Sequence, residues 1–330
     1  MIVSAVVESH RAQTGVMRAQ RGPDGGIAMK EVSGKVAFIT GGGSGIGLGM
    51  ARVFSAAGMK VVVADVRQDH LDEAVKQLQA AGREAHAIRL DVSDRQAVAR
   101  AADETVRVFG KVHLVCNNAG VSVFGPMDQA TYEDWDWMMG VNFNGVVNGV
   151  MSFVPKIKAH GEGGHIVNTA SMAGIIVGPG MGLYSASKFA VRGLTESLRY
   201  DLAPHKIGVS VLCPGFVRSN IHEAVRSRPE QLARTGYHVG AEDMKRLDAV
   251  LAVGMAPDEV AERVLRGIRR NDLYLFTHAE FREELRGMFD EMLAALPDEP
   301  PNPGRMGMED FRRARKAEAA AVANELKNRF

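Results

Sequence analysis

Cysteine is scarce in this chain: its 330 residues hold two, Cys116 and Cys213. That excludes a disulfide-dense secreted scaffold. Each lies near the end of an apolar run that reads as a buried strand, so both are expected to be reduced, buried thiols of a cytoplasmic protein. An excess of one charge is also missing. Forty basic residues face thirty-nine acidic ones, and no overall field favours nucleic acid or an anionic membrane as partner. No apolar run approaches the roughly 18–20 residues that span a bilayer. The apolar stretch Ile2–Val7 is short and follows no basic segment, so a secretory signal is not expected. No internal repeat is present, and the histidines, cysteines and acids show no metal-ligand spacing.

Glycine is plentiful, with 36 residues against 12 prolines. That balance suits many tight turns between strands and helices. Residues 1–33 carry no clear period and contain Arg21-Gly-Pro-Asp-Gly-Gly26; they read as a mobile extension, with Met29 a candidate start. From Lys35 onward, short apolar β-branched runs alternate with helical patterns. The expected strands are Val36–Thr40, Lys60–Asp65, Glu84–Arg89, Leu114–Asn117, Gly164–Thr169, Gly208–Cys213 and Leu273–Thr277. The expected helices are Gly45–Ala57, Gln68–Ala81, Asp94–Phe109, Tyr132–Lys158, Tyr184–Ala203, Pro257–Arg270 and Phe281–Leu296. Strands apolar on both faces imply a parallel sheet covered on each side. The predicted fold is a single doubly wound, Rossmann-like α/β domain over 34–296. Residues 297–330 read as a linker with four prolines in Pro297–Gly304, then a helical tail with seven basic and four acidic residues. Phe311, Val322, Leu326 and Phe330 are its candidate docking residues.

Three local patterns carry chemistry. Thr40-Gly-Gly-Gly-Ser-Gly-Ile-Gly47 lies between the first strand and first helix. Glycines at Gly41, Gly45 and Gly47 let a phosphate approach the backbone, and the helix start, through Ser44 and Ile46, offers free N–H groups and positive dipole. The spacing differs from the general Gly-x-Gly-x-x-Gly fingerprint. Asp65 ends the second strand, eighteen residues after Gly47. A carboxylate there accepts both hydroxyls of an adenosine ribose and repels a 2′-phosphate, which favours NAD over NADP; a helix-capping role is the plainer alternative. Arg67, two positions on, is placed to soften that discrimination. Tyr184 and Lys188, four apart, share a helix face. A nearby ammonium is expected to lower the phenol's pKa from about 10, giving a proton donor and acceptor usable near neutrality. Tyr and Lys at this spacing are common on ordinary helices, so the pair's weight comes from its company.

In this order the residues resemble the short-chain dehydrogenase/reductase family. Thr40–Gly47 is similar to its Thr-Gly-x-x-x-Gly-x-Gly motif and Asn117-Asn-Ala-Gly120 to its Asn-Asn-Ala-Gly motif. Asn142 matches its helix asparagine, Ser171 its serine thirteen residues before the tyrosine, and Tyr184 with Lys188 its Tyr-x-x-x-Lys. Pro214-Gly-Phe-Val-Arg-Ser219 resembles Pro-Gly-x-Val-x-Thr with Ser for the final Thr. The match covers about 34–280. Within it, Asp65–Ala74, Ile88–Asp94, Ala130–Asp136 and Gly164–Ser171 look like the Cα-dehydrogenases that oxidise the benzylic alcohol of lignin-type β-aryl ethers.

The resemblance implies an NAD-dependent enzyme acting on CH–OH groups. Tyr184 would be the general acid/base, Lys188 would favour the phenolate and hold the nicotinamide ribose, and Ser171 would donate to the substrate oxygen. Asn142 would hold a water linking Lys188 to solvent; a bend-forming asparagine stands beside that reading with similar weight. Asn118, Ala119 and Gly120 would line the adenosine side, Asp91 and Val92 the adenine, and Pro214, Gly215 and Val217 the nicotinamide face. Ser171 has a local alternative as a turn cap. His165 and His222 read as structural histidines, and the stripe Val191, Leu194, Leu198, Leu202 as core or subunit interface. The segment 216–254, with Ile221, Tyr237, Met244 and Leu251, would form a lid, and Gly174–Gly182 an apolar wall. Together they suit a bulky aromatic secondary alcohol. A carbonyl reductase or hydroxysteroid-type dehydrogenase is the alternative, and a non-catalytic dinucleotide sensor a third reading. The family also implies a homodimer or homotetramer built on the helices around 132–158 and 184–203; the tail, outside the family match, is expected to wrap a neighbour.

Overall fold

The first strand, β1 (Val36–Thr40), is buried along its whole length, which places it in the middle of a covered sheet. A computed structural model describes residues 29–328 other than 234, 235, 238 and 239. Seven strands pair in one sheet in the order β3-β2-β1-β4-β5-β6-β7, and every pairing is parallel. The others are β2 (Lys60–Asp65), β3 (Ala85–Arg89), β4 (Leu114–Asn117), β5 (Gly164–Thr169), β6 (Ile207–Cys213) and β7 (Tyr274–Phe276). The strand order reverses between β1 and β4. Their C-terminal ends diverge there, and a crevice opens.

Helices cover both faces. On one side α1 (Gly45–Ala56) and α8 (Pro257–Arg270) bury Met50, Phe54, Val260, Val264 and Ile268 against Ile39, Val61 and Val63. On the other side α3 (Arg95–Phe109), α5 (Gly145–His160) and α6 (Gly182–Leu202) bury Val98, Phe153, Ile157 and Val191 against Phe38, Val115 and Ile166. Burying a side chain of this size stabilises by about 1.5–3 kcal/mol, so two such layers hold the sheet. The α6 stripe is core: Val191 and Leu202 are buried, and Leu194 and Leu198 pack against the same cluster. Helix α2 (Gln68–Ala80) caps the β2–β3 side. Met29 and Val32 are buried in the α1/α8 layer, so the expected extension does not reach residue 33. Residues 1–28 lie outside the described part.

The helix expected over 132–158 is interrupted. It runs as α4 (Tyr132–Met139), a π turn (Gly140–Asn144) and α5. The cause is Asn142. Its side chain turns into the neighbouring loop, accepting the Val121 N–H at 2.8 Å and donating to Val121 O and Ser187 Oγ at 3.0 Å. A side chain bonded to backbone outside its own helix favours the widened turn, so the bend-forming reading holds.

After β6 the chain forms short 3₁₀ turns at Ile221–Ser227 and Glu230–Leu232, then α7 (Ala241–Ala252), before α8. Past β7 come α9 (Arg282–Ala294) and α10 (Pro303–Asn328). The expected proline linker is thus shorter: Pro303 opens the last helix, where its missing N–H costs nothing. Phe311 and Val322 are exposed. The side chain of Leu326, and Phe330 entirely, lie outside the described residues.

Candidate active site

The turn from β1 into α1 is built for an anion. Gly45 sits at φ +50°, a conformation that disfavours side chains. At Gly47 a Cβ would lie 2.0 Å from Gly41 O, so no other residue lets the turn close. The start of α1 has no side-chain cap and no acidic residue in its first turn, which leaves its N–H donors and dipole to a ligand. That cradle fits a pyrophosphate. Asn118 and Thr40 brace it: Thr40 Oγ1 accepts the Asn118 and Ala119 N–H groups at 2.9 and 3.0 Å, and Asn118 Nδ2 donates to Thr40 O at 3.1 Å.

Asp65 stands at the rim of the same crevice. Its carboxylate accepts the Gly43 N–H at 3.2 Å and the Arg67 N–H at 3.1 Å, leaving lone pairs toward the cleft. It therefore holds the glycine turn rather than capping the next helix, whose start has no side-chain cap, and it lines the cleft. Asp91 accepts the Ser93 N–H and hydroxyl at 2.8 and 2.7 Å, which fixes the loop carrying Val92 at the cleft.

One cleft of about 550 Å³ is lined by Gly41, Ser44, Gly45, Ile46, Asp65, Asp91, Val92, Asn118, Ala119, Gly120, Ser171, Tyr184, Lys188, Pro214, Gly215 and Val217. The sequence-derived set converges there apart from Gly47 and Asn142, which shape its walls from behind. Pro214 O accepts the Met172 N–H at 2.9 Å, and the Gly215 N–H donates to His278 Nδ1 at 3.2 Å, so the Pro214–Val217 turn is tied to the Ser171 loop and to the segment after β7.

Ser171, Tyr184 and Lys188 lie together on the cleft wall. The Ser171 hydroxyl accepts the Ala173 N–H at 3.1 Å, so it caps its local turn, and it lies near enough to Tyr184 to lower the phenol's pKa. Lys188 Nζ donates to Thr169 O at 3.1 Å and stands 5.6 Å from the Tyr184 ring centroid. One expectation is corrected here. Burial raises the Tyr184 phenol above its ordinary pKa, and the Ser171 hydroxyl only partly offsets it. Burial also pulls Lys188 down to about 8. Both groups have lost hydration of their charged forms, and that loss outweighs the ammonium's influence on the phenol.

The remaining wall is apolar. Phe124, Trp137, Met172, Ile176, Met181 and Phe281 line it, and Phe124 meets Tyr184 edge-on at 5.8 Å. The lid closes over this wall. Its base is a pair of backbone bonds, Arg218 N–H to Met255 O and Met255 N–H to Phe216 O, each 3.0 Å. Its middle is pinned by a buried ion pair, Arg228 Nη1 to Asp134 Oδ1 at 2.8 Å. The Tyr237 N–H donates to both Asp134 oxygens at 3.2 Å, and its hydroxyl donates to Pro126 O at 2.7 Å. Ile221 and Leu251 line the cleft, whereas the side chains of Met244 and His222 lie outside the described residues.

His165 is buried and structural, but one nitrogen is unpaired. Nε2 bonds Ser210 Oγ at 2.8 Å, while Nδ1 has no partner and packs against Gly208. Sequence reasoning did not find Thr40, Thr169, Asn220 or Glu223. Thr40 opens the glycine motif and was legible there. Thr169 acts through its carbonyl, and the two lid residues sit where no periodicity constrains them. His113, His160 and Glu162 come together near the N-terminal ends of β1, β4 and β5, away from the cleft. Their nitrogens are engaged by backbone and by Glu162, and Lys35 and Lys111 both pair with that carboxylate. The cluster is a charge network rather than a cation site.

Such a fold and cleft define a dinucleotide-dependent oxidoreductase. The chain matches the short chain dehydrogenase family over residues 35–230 and belongs to it. It is 44% identical over 269 residues to the C alpha-dehydrogenase of Sphingobium sp. strain SYK-6, covering 81% of this chain and 88% of that protein. A short-chain dehydrogenase from Novosphingobium aromaticivorans shares 41% identity with a TM-score of 0.77, covering 89% of this chain and 100% of the other. A short-chain dehydrogenase/reductase from Burkholderia phymatum, solved in complex with NAD, shares 40% identity with a TM-score of 0.77, covering 83% and 100%. The protein is accordingly an enzyme acting on CH–OH groups with a nicotinamide dinucleotide and a small-molecule substrate, and the non-catalytic reading falls away. No helix among the described residues is long and apolar enough to cross a membrane.

Proposed function

We propose that the protein is an NAD-dependent dehydrogenase interconverting a bulky aromatic secondary alcohol, of the benzylic β-aryl ether type, with its ketone. The observation that carries this reading is the buried Tyr184–Lys188 pair with half-buried Ser171, sharing a cleft with a wall of Phe124, Trp137, Met172 and Ile176. Apolar and aromatic walls with a few convergent polar groups suit a large, mostly apolar ligand. The name of the Sphingobium relative agrees with it.

A bound nicotinamide dinucleotide supplies the hydride acceptor and a positively charged ring. The chain's own residues do the rest. Ser171 donates a hydrogen bond to the substrate oxygen, with its backbone held by the 3₁₀ turn that follows. Tyr184 takes the alcohol proton as general base in oxidation and returns it in reduction. Lys188, held by Thr169 O, lowers the free energy of the phenolate. Asn142 fixes the loop at Val121 behind Lys188.

The test follows reduced-nicotinamide absorbance with NAD⁺ and NADP⁺ against β-aryl ether carbinols, hydroxysteroids and small diols. Turnover of the aryl carbinols with NAD⁺ supports the reading. Faster turnover of hydroxysteroids moves the enzyme to the hydroxysteroid-type alternative, which the same apolar wall favours over small polar alcohols.

We also infer a cytoplasmic homodimer or homotetramer. Met151 on α5 and Phe189 on α6 are 70% and 40% exposed, apolar groups on the two helices expected at the interface. The substitutions Met151→Lys and Phe189→Lys together are expected to shift sedimentation to the monomer; an unchanged coefficient would place the contact elsewhere. A tail wrapped on a neighbour predicts lower oligomer stability for a chain ending at residue 296.

A further inference from the structure

The adenosine rim contains a guanidinium that ought to welcome a 2′-phosphate. Arg67 lines the cleft beside Asp65, and an arginine two residues past the ribose carboxylate is a ready phosphate ligand. Its hydrogen-bonding edges are engaged, however. Along one edge Nε donates to Asp69 Oδ1 at 3.1 Å and Nη2 pairs with Asp69 Oδ2. On the other side Nη1 reaches Glu223 Oε2 at 3.4 Å. A guanidinium binds phosphate through the same paired N–H edges. Asp69 is two residues away on the first turn of α2 and travels with Arg67. Glu223 comes from the lid, 156 residues along the chain. The neighbouring lid residue Asn220 accepts a hydrogen bond from Ser44 Oγ at 2.9 Å, so this end of the lid is seated on the cofactor turn itself.

We propose that Glu223 is a cofactor-selectivity residue: from the lid it holds Arg67 away from the ribose 2′ position and adds a second carboxylate, beside Asp65, to that side of the cleft. Discrimination against a 2′-phosphate is then shared between β2 and the lid. Asp65 supplies the repulsion, and Glu223 removes the attraction that Arg67 would offer. This deepens the NAD reading and rests on it.

The experiment compares Glu223→Gln with the wild type in two readouts. In the protein without cofactor, calorimetry measures binding of adenosine 2′,5′-bisphosphate against adenosine 5′-monophosphate. In the working enzyme, kcat/KM is measured with NADP⁺ and NAD⁺. A partly exposed ion pair contributes up to about 1 kcal/mol, so both ratios are expected to rise about fivefold, and the rise should vanish when Arg67→Ala is added. Ratios unchanged in Glu223→Gln, or a rise that survives Arg67→Ala, would overturn the proposal. A wild type that prefers NADP⁺ would sink the NAD reading by itself. The change in bisphosphate affinity on substituting Glu223 would still decide the role of that residue.

Discussion

Tyr184 and Lys188 sit in an environment that opposes the charges their chemistry needs. Burial raises the phenol's pKa and lowers the ammonium's to about 8. Oxidation requires the phenolate, so kcat/KM for the alcohol is expected to rise with pH through neutrality, and Lys188→Met should move that limb to higher pH. Tyr184→Phe is expected to cut turnover by about 10²–10⁴-fold while changing the NAD⁺ dissociation constant less than twofold; substantial residual turnover would move the proton donor elsewhere. The same lysine has a stability consequence. Its folded pKa lies below the unfolded value of about 10.4, so the unfolded chain binds the extra proton between about pH 8 and 10.4. The ammonium's burial therefore opposes folding below pH 8, and that opposition fades as pH rises through the window. Lys188→Met should stabilise the free protein at pH 7 by up to about 3 kcal/mol, read as a higher denaturant midpoint. A destabilised variant would mean that the Thr169 hydrogen bond outweighs the desolvation.

Among the elements, the lid is tied to the domain through one buried carboxylate, Asp134, which holds both Arg228 and the Tyr237 N–H. Arg228 and Asp134 are almost fully buried, and Arg228 also lies 5.2 Å above the Trp137 ring in the substrate wall. Removing one partner leaves the other charge buried, which costs about 3–5 kcal/mol. Arg228→Met is expected to raise KM for the alcohol at least tenfold and leave the cofactor dissociation constant within twofold. Hydrogen exchange should speed up over 221–237 and stay slow in β1, β4 and β5. Uniform loss of protection across the sheet would show that the ion pair supports the whole domain instead.

At the scale of the whole molecule, the acid limb of stability is set far from the active site. His165, wedged between β5 and β6, has its pKa pulled down to about 3 by burial, and burial lowers His113 as well. The unfolded histidines titrate near 6.5. Between about pH 6.5 and 3 the unfolded chain binds protons that buried His165 refuses, so stability is full above 6.5 and falls as pH drops. Glu162 acts in the same sense, since hydrogen bonds from Lys111, Lys35 and His113 hold its carboxyl well below the usual range. His165→Gln should flatten the fall in Tm between pH 7 and 5 relative to the wild type. An equally steep fall would assign the acid sensitivity to other groups.

The chain's own residues settled the parallel sheet, the alternation of strands and helices, and most of the residues that line the cleft. Five-residue apolar runs such as Val36–Thr40 have one stable place, a strand covered on both faces. The glycine turn, Asp65, Ser171 and the Tyr184–Lys188 pair declare themselves by residue type and spacing, because closing a turn on phosphate or aligning two groups on a helix is local geometry. What needed the tertiary structure were the contacts between segments distant in sequence. Asn142 bends its helix because Val121 lies beside it. The phenol's pKa rises because the folded core strips its water. Met29 and Val32 are ordered because α1 and α8 offer them a surface. Arg67 reads from the sequence as a phosphate ligand. It is occupied because the lid returns Glu223 to it after 156 residues, a separation over which local pattern carries no information.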